Sequence, residues 1–264
     1  MRNISNKRVL LFFGDDLRNQ FILNKILSKY KNCKVVIQKR GKEKVKKKTN
    51  KLLTKHLKFR DISETKILKV KKNYIKSHKD KIYLGLNELN SKKTINIVKK
   101  YKPNLVLCYG ITLIKKNLLS ILPKKTINIH SGLTQKFRGY ASNFWACYML
   151  EPNNVGATIH YVVENADSGN ILHQVRTDLK ANYNLHDLSS ISIFKISKII
   201  NKVIEILLIK NPKGQKLSGG RSFLLRDFNP LHLLLNYKLL NDKLSKFYLN
   251  NKMKVKNIKL VKII

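Results

Sequence analysis

Apolar residues along this chain alternate between short continuous runs and stretches spaced three and four apart. Val9 to Phe13 is such a run and ends at Gly14, the pattern of a strand buried on both faces of a parallel sheet. A helix is expected next: Asp15 or Asp16 can cap it, and Phe21, Ile22, Ile26 and Leu27 recur at helical spacing. Lys34 to Gln38 predicts a second strand. Gly41 to Lys58 is Lys-dense with sparse apolar residues and predicts an exposed helix or a mobile insertion. Ile82 to Leu86 predicts another strand, and Ser91 is placed to cap a helix carrying Ile95, Ile97 and Val98 that ends before Pro103.

Asn104 to Cys108 reads as a buried strand with Tyr109-Gly110 as its turn. The next helix, with Leu113, Ile114, Leu118, Leu119 and Leu122, should stop at Pro123, and Thr126 to His130 returns to strand. Beyond a Gly-containing loop, Ala141 to Leu150 predicts a helix with Phe144, Trp145 and Tyr148 inward. Gly156 to Val163 and Asn170 to Thr177 predict two strands able to pair as a hairpin. A long helix from Leu185 to Lys210 ends before Asn211-Pro212, Gly219-Gly220 opens a short strand from Ser222 to Leu225, and Leu231 to Ile264 reads as a small Lys-rich appendage. Strands alternating with helices predict an α/β protein, a mostly parallel sheet flanked by helices. The expected organisation is a main domain over 1–212 and a small C-terminal extension over 213–264.

At 264 residues the chain can bury a sizeable core, and an apolar content of 43% agrees with that. The net charge of +40 changes the picture more, because a clustered basic face is the footprint of phosphate binding. All but nine of the 55 basic residues are Lys, however, and they are scattered with Asn and Ile through nearly every segment. That distribution reads as compositional bias and solvated surface, and it still favours an acidic substrate such as a phosphorylated one. Cys33, Cys108 and Cys147 are far apart and form no CxxC pair, which predicts free thiols in a reducing compartment. No stretch approaches the ~20 apolar residues that span a bilayer, and the N-terminus carries no signal-peptide pattern, so a cytoplasmic protein without membrane partners is expected.

The densest convergence of reactive side chains lies between Thr126 and Ile171. If Thr126 to His130 is a strand, Asn128 and His130 point to the same face, and Asp167-Ser168-Gly169 follows a few tens of residues later. An imidazole can take a proton from an attacking amine, an amide NH2 can donate to a developing oxyanion, and a carboxylate can hold the imidazole. The set suits acyl transfer. A His at a strand end also serves as a purely structural hydrogen-bonding residue, and Asp-Ser-Gly is good turn chemistry by itself. No metal-binding pattern is present.

The order of residues around these positions adds to this reading. Asn128-Ile129-His130-Ser131, Arg138-Gly139, Gly156-Ala157-Thr158-Ile159-His160 and Asp167-Ser168-Gly169-Asn170-Ile171-Leu172 with Gln174 stand in one register. In this, residues 104–178 resemble the formyltransferase family, which includes glycinamide ribonucleotide, methionyl-tRNA and nucleotide-sugar formyltransferases. The resemblance implies a Rossmann-like fold, 10-formyltetrahydrofolate as formyl donor, and Asn128, His130 and Asp167 as the catalytic set. An amine would attack the formyl carbon, Asn128 and His130 would stabilise the tetrahedral oxyanion, and Asp167 would orient His130 and assist proton transfer to the departing folate nitrogen.

It further implies a folate pocket between Ile111 to Lys115 and Val163 to Asp167, with Ile111, Leu113, Ile114, Lys115, Val163, Asn165 and Ala166 as contacts made largely through backbone. Leu113 and Ile114 fit the core equally well. Ser131, Gly132 and Arg138 fall on the substrate side; Arg138 can meet a phosphate or cap its own loop. His160, on a strand, reads as structural.

The loop between Gly132 and Arg138 lacks the prolines common in better-known members of the family. Gly14-Asp15-Asp16 replaces a small-residue phosphate-binding turn, and two carboxylates there would repel the phosphate of a glycinamide ribonucleotide. The expected acceptor is therefore a small-molecule amine, an amino sugar of a nucleotide-sugar. The stretch after the catalytic region is shorter than the barrel domain of methionyl-tRNA formyltransferases, which sets the tRNA substrate second. Hydrolysis of formyltetrahydrofolate would use the same three residues with water as acceptor. From a different class, a basic RNA-binding module on an inactive enzyme fold remains open at this stage.

Overall fold

Five strands rich in aliphatic residues lie side by side and parallel: β1 (Val9–Gly14), β2 (Cys33–Gln38), β3 (Lys81–Leu84), β4 (Leu105–Tyr109) and β5 (Thr126–His130). The computed structural model describes residues 6–30, 32–39, 51–70, 81–251, 253 and 255–263. β7 (Gly156–Tyr161) pairs antiparallel with β5, and β8 (Ile171–Arg176) antiparallel with β7, giving the order β3-β2-β1-β4-β5-β7-β8. The chain leaves the sheet edge at β3 and returns to pair β4 with β1. That reversal makes a crevice at the carboxyl ends of β1 and β4, where ligands of open α/β sheets bind.

Strand alternation assigns each face. Val9, Leu11 and Phe13 pack under α1 (Leu17–Leu27) and α6 (Leu185–Ile209), whereas Leu10 and Phe12 pack with Val98 of α3 (Lys92–Tyr101) and Leu118 of α4 (Lys116–Leu119). Residues 10–13 are fully buried. At about 1.5–3 kcal/mol for each large side chain, such burial on both sheet faces is the main force holding the layers.

Several expectations change in detail. Asp16 stands at the N-cap of α1, but its side chain makes no capping bond; its carbonyl accepts from Asn19 and Gln20 N–H instead. Ser91 does cap α3, accepting from Thr94 N–H. The helix expected across Leu113 to Leu122 contracts to the single turn of α4. Asn90 is the reason: its Nδ2 donates to the Leu113 carbonyl, its Oδ1 accepts from Lys115 N–H, and Leu113 is left exposed. Within the Lys-dense segment, residues 41–50 lie outside the described residues. From Lys51 the chain is helical as α2 (Lys51–Leu68), whose Leu52, Leu53 and Phe59 pack inward and whose Glu64 pairs with Arg18 of α1 at 3.0 Å.

A second core forms around α5 (Ser142–Tyr148). The short strand β6 (Phe137–Gly139) pairs parallel with β9 (Arg221–Phe223), which is shorter than the expected Ser222 to Leu225 because residues 225–227 wind into a 3-10 turn. Phe223 stacks on Trp145 at 4.3 Å between ring centroids, and Leu233, Tyr237 and Leu244, the last opening α7 (Leu244–Asn250), are buried in the same cluster. Near the end of the chain, Val261 N–H donates to Gln174 Oε1 and Lys262 bridges to His173 of β8. The C-terminal residues are thus packed against β8 and α5.

Candidate active site

Asn128 and His130 project together from the carboxyl half of β5, and Asp167 reaches them from the turn after β7. The turn is specific. Asp167 takes a left-handed backbone with φ of 51°, a conformation Asp tolerates better than most side chains. A Cβ on Gly169 would lie 1.8 Å from the Tyr161 carbonyl oxygen, so glycine alone lets the returning chain pass β7.

The Asp167 carboxylate gathers four groups. Oδ2 is 3.2 Å from His130 Nδ1 and accepts from Gly139 N–H at 3.1 Å; Oδ1 accepts from Asn128 Nδ2 at 3.3 Å and is 3.3 Å from His160 Nε2. Burial works to raise the Asp167 pKa, but neighbouring interactions led by the charge and hydrogen bond of His130 outweigh it and hold the carboxyl well below the ordinary value of 3.8. Asp167 is therefore a carboxylate at neutral pH, and His130 Nδ1 must carry a hydrogen to face it.

Two further residues join this set. His160 is the cross-strand partner of Asn128, at the irregularity between Ile159 and His160 in the β7–β8 register. Its Nδ1 is 2.8 Å from the Tyr161 carbonyl, which can only accept, so Nδ1 is protonated. Its Nε2 then faces Asn128 Nδ2 at 3.3 Å. With acceptors on both sides of the Asn128 amide, the NH2 orientation follows from the network. Ser142, the first residue of α5, places Oγ 2.9 Å from His130 Nε2 and 3.2 Å from the Gly139 carbonyl. Gly132 leaves the room: a Cβ there would sit 2.5 Å from Ser142 Cβ and 2.8 Å from His130 Nε2.

By sequence alone His160 reads as structural and Ser142 carries no signal. Once β5 and β7 are recognised as neighbours, the pairing of Asn128 with His160 signals the first; the second follows from a contact that no spacing announces.

The remaining positions divide. Ser131 lies beside the cluster, its Oγ 3.3 Å from Tyr109 Oη. Arg138 is half-buried on β6, next to Gly139, and its buried Nε has no hydrogen-bond partner among the described residues. Ile111 and Ile114 share one apolar cluster with Val162, which brings the loops after β4 and β7 together; Ile114 itself is core, whereas Leu113, Lys115, Val163, Asn165 and Ala166 are exposed. The Thr112 amide is held by Gln38 Oε1 at 2.8 Å, so with Asn90 the post-β4 loop is pinned from both sides. Among the described residues no group of three or more His, Cys, Asp or Glu is arranged to hold a metal ion, and no helix is long and apolar enough to cross a membrane.

Comparison with known proteins identifies the family. Residues 9–204 match the formyl transferase family, and the chain belongs to it. Enzymes of this family transfer a formyl group taken from 10-formyltetrahydrofolate. Over 121 residues the sequence is 30% identical to a methionyl-tRNA formyltransferase of Borreliella burgdorferi, covering 46% of this chain and 37% of that protein, so the chain spans well under half of that relative. In structure it is similar to a sugar N-formyltransferase from a Shewanella species, with a TM-score of 0.57, 17% identity, and coverage of 84% of this chain and 78% of that one. An N-formyltransferase of Helicobacter canadensis, solved with folinic acid and dTDP-3-aminofucose, gives a TM-score of 0.56 at 16% identity, with coverage of 84% and 72%. At these identities the structural likeness establishes the fold.

Proposed function

We propose that this protein transfers the formyl group of 10-formyltetrahydrofolate to the amine of an amino sugar carried on a nucleotide. The observation that carries the reading is the Asp167 carboxylate holding Asn128 and His130 in one buried cluster. In the reaction the acceptor nitrogen bonds to the formyl carbon and the formyl oxygen becomes an oxyanion. One Asn128 hydrogen stays on Asp167 and fixes the amide plane, and the other, on the His160 side, is the donor shared with the oxyanion. His130 takes the proton lost by the amine, is stabilised as imidazolium by Asp167, and passes the proton to the folate nitrogen as its bond to the formyl carbon breaks. The donor lies between residues 111–115 and 163–166, on the apolar floor that Ile111 and Val162 supply beside the cluster.

Two observations favour the phosphorylated sugar as acceptor. Arg138, one residue from the amide that binds Asp167, has a buried Nε without a hydrogen-bond partner among the described residues, suited to a phosphate oxygen. Structural relatives include sugar N-formyltransferases, one of them solved with a nucleotide-linked aminosugar. The second reading, a methionyl-tRNA acceptor, is favoured by the sequence relatives and by the charge of +40.

Incubation of pure protein and 10-formyltetrahydrofolate with a panel of nucleotide-linked aminosugars and with methionyl-tRNA separates the two, with products read by mass. A sugar gaining a formyl group in place of hydrogen supports the proposal; formylation of methionyl-tRNA alone, or formate alone, refutes it. Steeply salt-dependent binding of bulk RNA without turnover would instead indicate the binding-module alternative.

A further inference from the structure

We propose that Ser142 is a positioning residue for His130, its hydroxyl reversing direction as the imidazole gains and loses a proton during formyl transfer. This rests on His130 acting as proton carrier. Ser142 is 2% exposed, and its one hydroxyl hydrogen has two destinations: His130 Nε2 at 2.9 Å and the Gly139 carbonyl oxygen at 3.2 Å. Because Nδ1–H is committed to Asp167, the neutral ring has a lone pair at Nε2 and accepts from Ser142. The charged ring has Nε2–H, donates to Ser142 Oγ, and the hydroxyl hydrogen turns to Gly139. In both protonation states His130 Nε2 and the Ser142 hydroxyl then keep each other as partners. The other titratable groups facing His130 are Asp167 and His160, the latter with its ring centroid 6.5 Å away, and neither touches Nε2.

The local backbone is shaped to make this contact. Ala141, just before Ser142, sits in the left-handed region with φ of 54°, an unfavourable conformation for a residue with a Cβ. It starts α5 with Ser142 facing the end of β5, in the space that the absent side chain of Gly132 leaves open. Without the hydroxyl, His130 Nε2 is left buried and unpaired in both states, more severely as the charged N–H, which raises the barrier to forming the imidazolium by about 1–3 kcal/mol. That corresponds to a roughly five- to hundredfold fall in turnover.

The order Ser142, His130, Asp167 also matches a Ser-His-Asp nucleophile set. The two roles are separable. As nucleophile, Ser142 Oγ would bond to the formyl carbon, the bond from that carbon to the folate nitrogen would break, and the serine proton would pass through His130 to that nitrogen, leaving a formyl ester on Ser142. As positioning residue, Ser142 never bonds to the formyl carbon.

The test compares Ser142→Ala and Ser142→Thr with wild type, with His130→Ala as control. Ser142→Ala is expected to lower kcat about tenfold with KM for donor and acceptor nearly unchanged, to alter the pH profile of kcat, and to shift the His130 Nε2 nitrogen resonance. Ser142→Thr, which keeps the hydroxyl, is expected to recover most of kcat. Unchanged kcat and resonance in the alanine variant, a threonine variant no better than alanine, or a formyl ester trapped on Ser142 in wild type would overturn the proposal. Full activity in His130→Ala would instead remove the reading of the site on which it rests.

Discussion

Replacing Asp167 by Asn separates the charge of this carboxylate from its shape. The oxygen facing Gly139 N–H and His130 Nδ1–H must remain an acceptor, so the new side chain keeps Oδ1 there and places its NH2 where Asp167 Oδ1 stood, against Asn128 Nδ2 and His160 Nε2. His160 Nε2 can accept that NH2, but Asn128 then loses an acceptor and must rotate. The fold should therefore survive, at the cost of about one hydrogen bond to a charged group, roughly 1.5–3 kcal/mol. Turnover suffers more, because the imidazolium formed in the reaction loses its countercharge and Asn128 loses its alignment. Stabilisation at one site of this kind is worth about 100- to 1,000-fold, or ~2.7–4 kcal/mol.

Formyl transfer measured by tetrahydrofolate release should fall by about that factor, while thermal unfolding stays cooperative. The pH dependence has a definite sign. The folded pKa of Asp167 lies below its unfolded value, so its contribution to stability is present above 3.8 and lost as pH falls below it; the stability gap between wild type and Asp167→Asn should narrow in acid. Wild-type turnover in the folded variant, or a gap that widens in acid, would refute the reasoning.

Other perturbations probe the scaffold. In Gly132→Ala the added methyl meets Ser142 and His130 at 2.5 and 2.8 Å; overpacking should cost about 1–3 kcal/mol, and a shift of ~1 Å at His130 about 100-fold in kcat, with donor affinity as the control. His56 and His186 share the Tyr237 hydroxyl at 2.9 and 3.1 Å. Burial, then the neighbouring positive charges, pushes His56 down to about 4 and His186 well below 6.5. Their folded pKa values lie below the unfolded one, so the stability they contribute is present above 6.5 and lost as pH falls toward 4; a double change of both to Gln should flatten the unfolding midpoint across that window, and coincident profiles would refute this. Phe223→Ala removes the ring stacked on Trp145 and should cost about 3–5 kcal/mol in denaturant unfolding; a loss well under 1 kcal/mol would show that β9 does not anchor the C-terminal residues.

The layers of this fold were legible wherever local pattern decided the outcome. Val9–Gly14 and Thr126–His130 are strands because continuous apolar runs end at a turn or a site, and α6 follows its apolar spacing from Leu185 to Ile209. Pattern failed where a distant side chain intervened. Asn90 holds the chain at Leu113 and Lys115 out of a helix, and the aromatic residues of α5 bury Leu233 and Tyr237 from a stretch that reads as a Lys-rich tail. At the site, Asn128, His130 and Asp167 were visible through the order of their neighbours. His160 needed the β5–β7 register, and Ser142 needed the left-handed turn at Ala141, neither of which is written in residue spacing.

In the proposed reaction the cluster on Asp167 moves a formyl group from the folate to an amine. A single-turnover experiment with an isotopically labelled formyl carbon tests it most directly, using wild type and His130→Ala with a nucleotide-linked aminosugar. Wild type should deliver the label into an amide on the sugar, and His130→Ala should still bind the donor but leave the label on it. Label appearing only as formate with wild type, or transferred to the sugar at wild-type rate by His130→Ala, would contradict it.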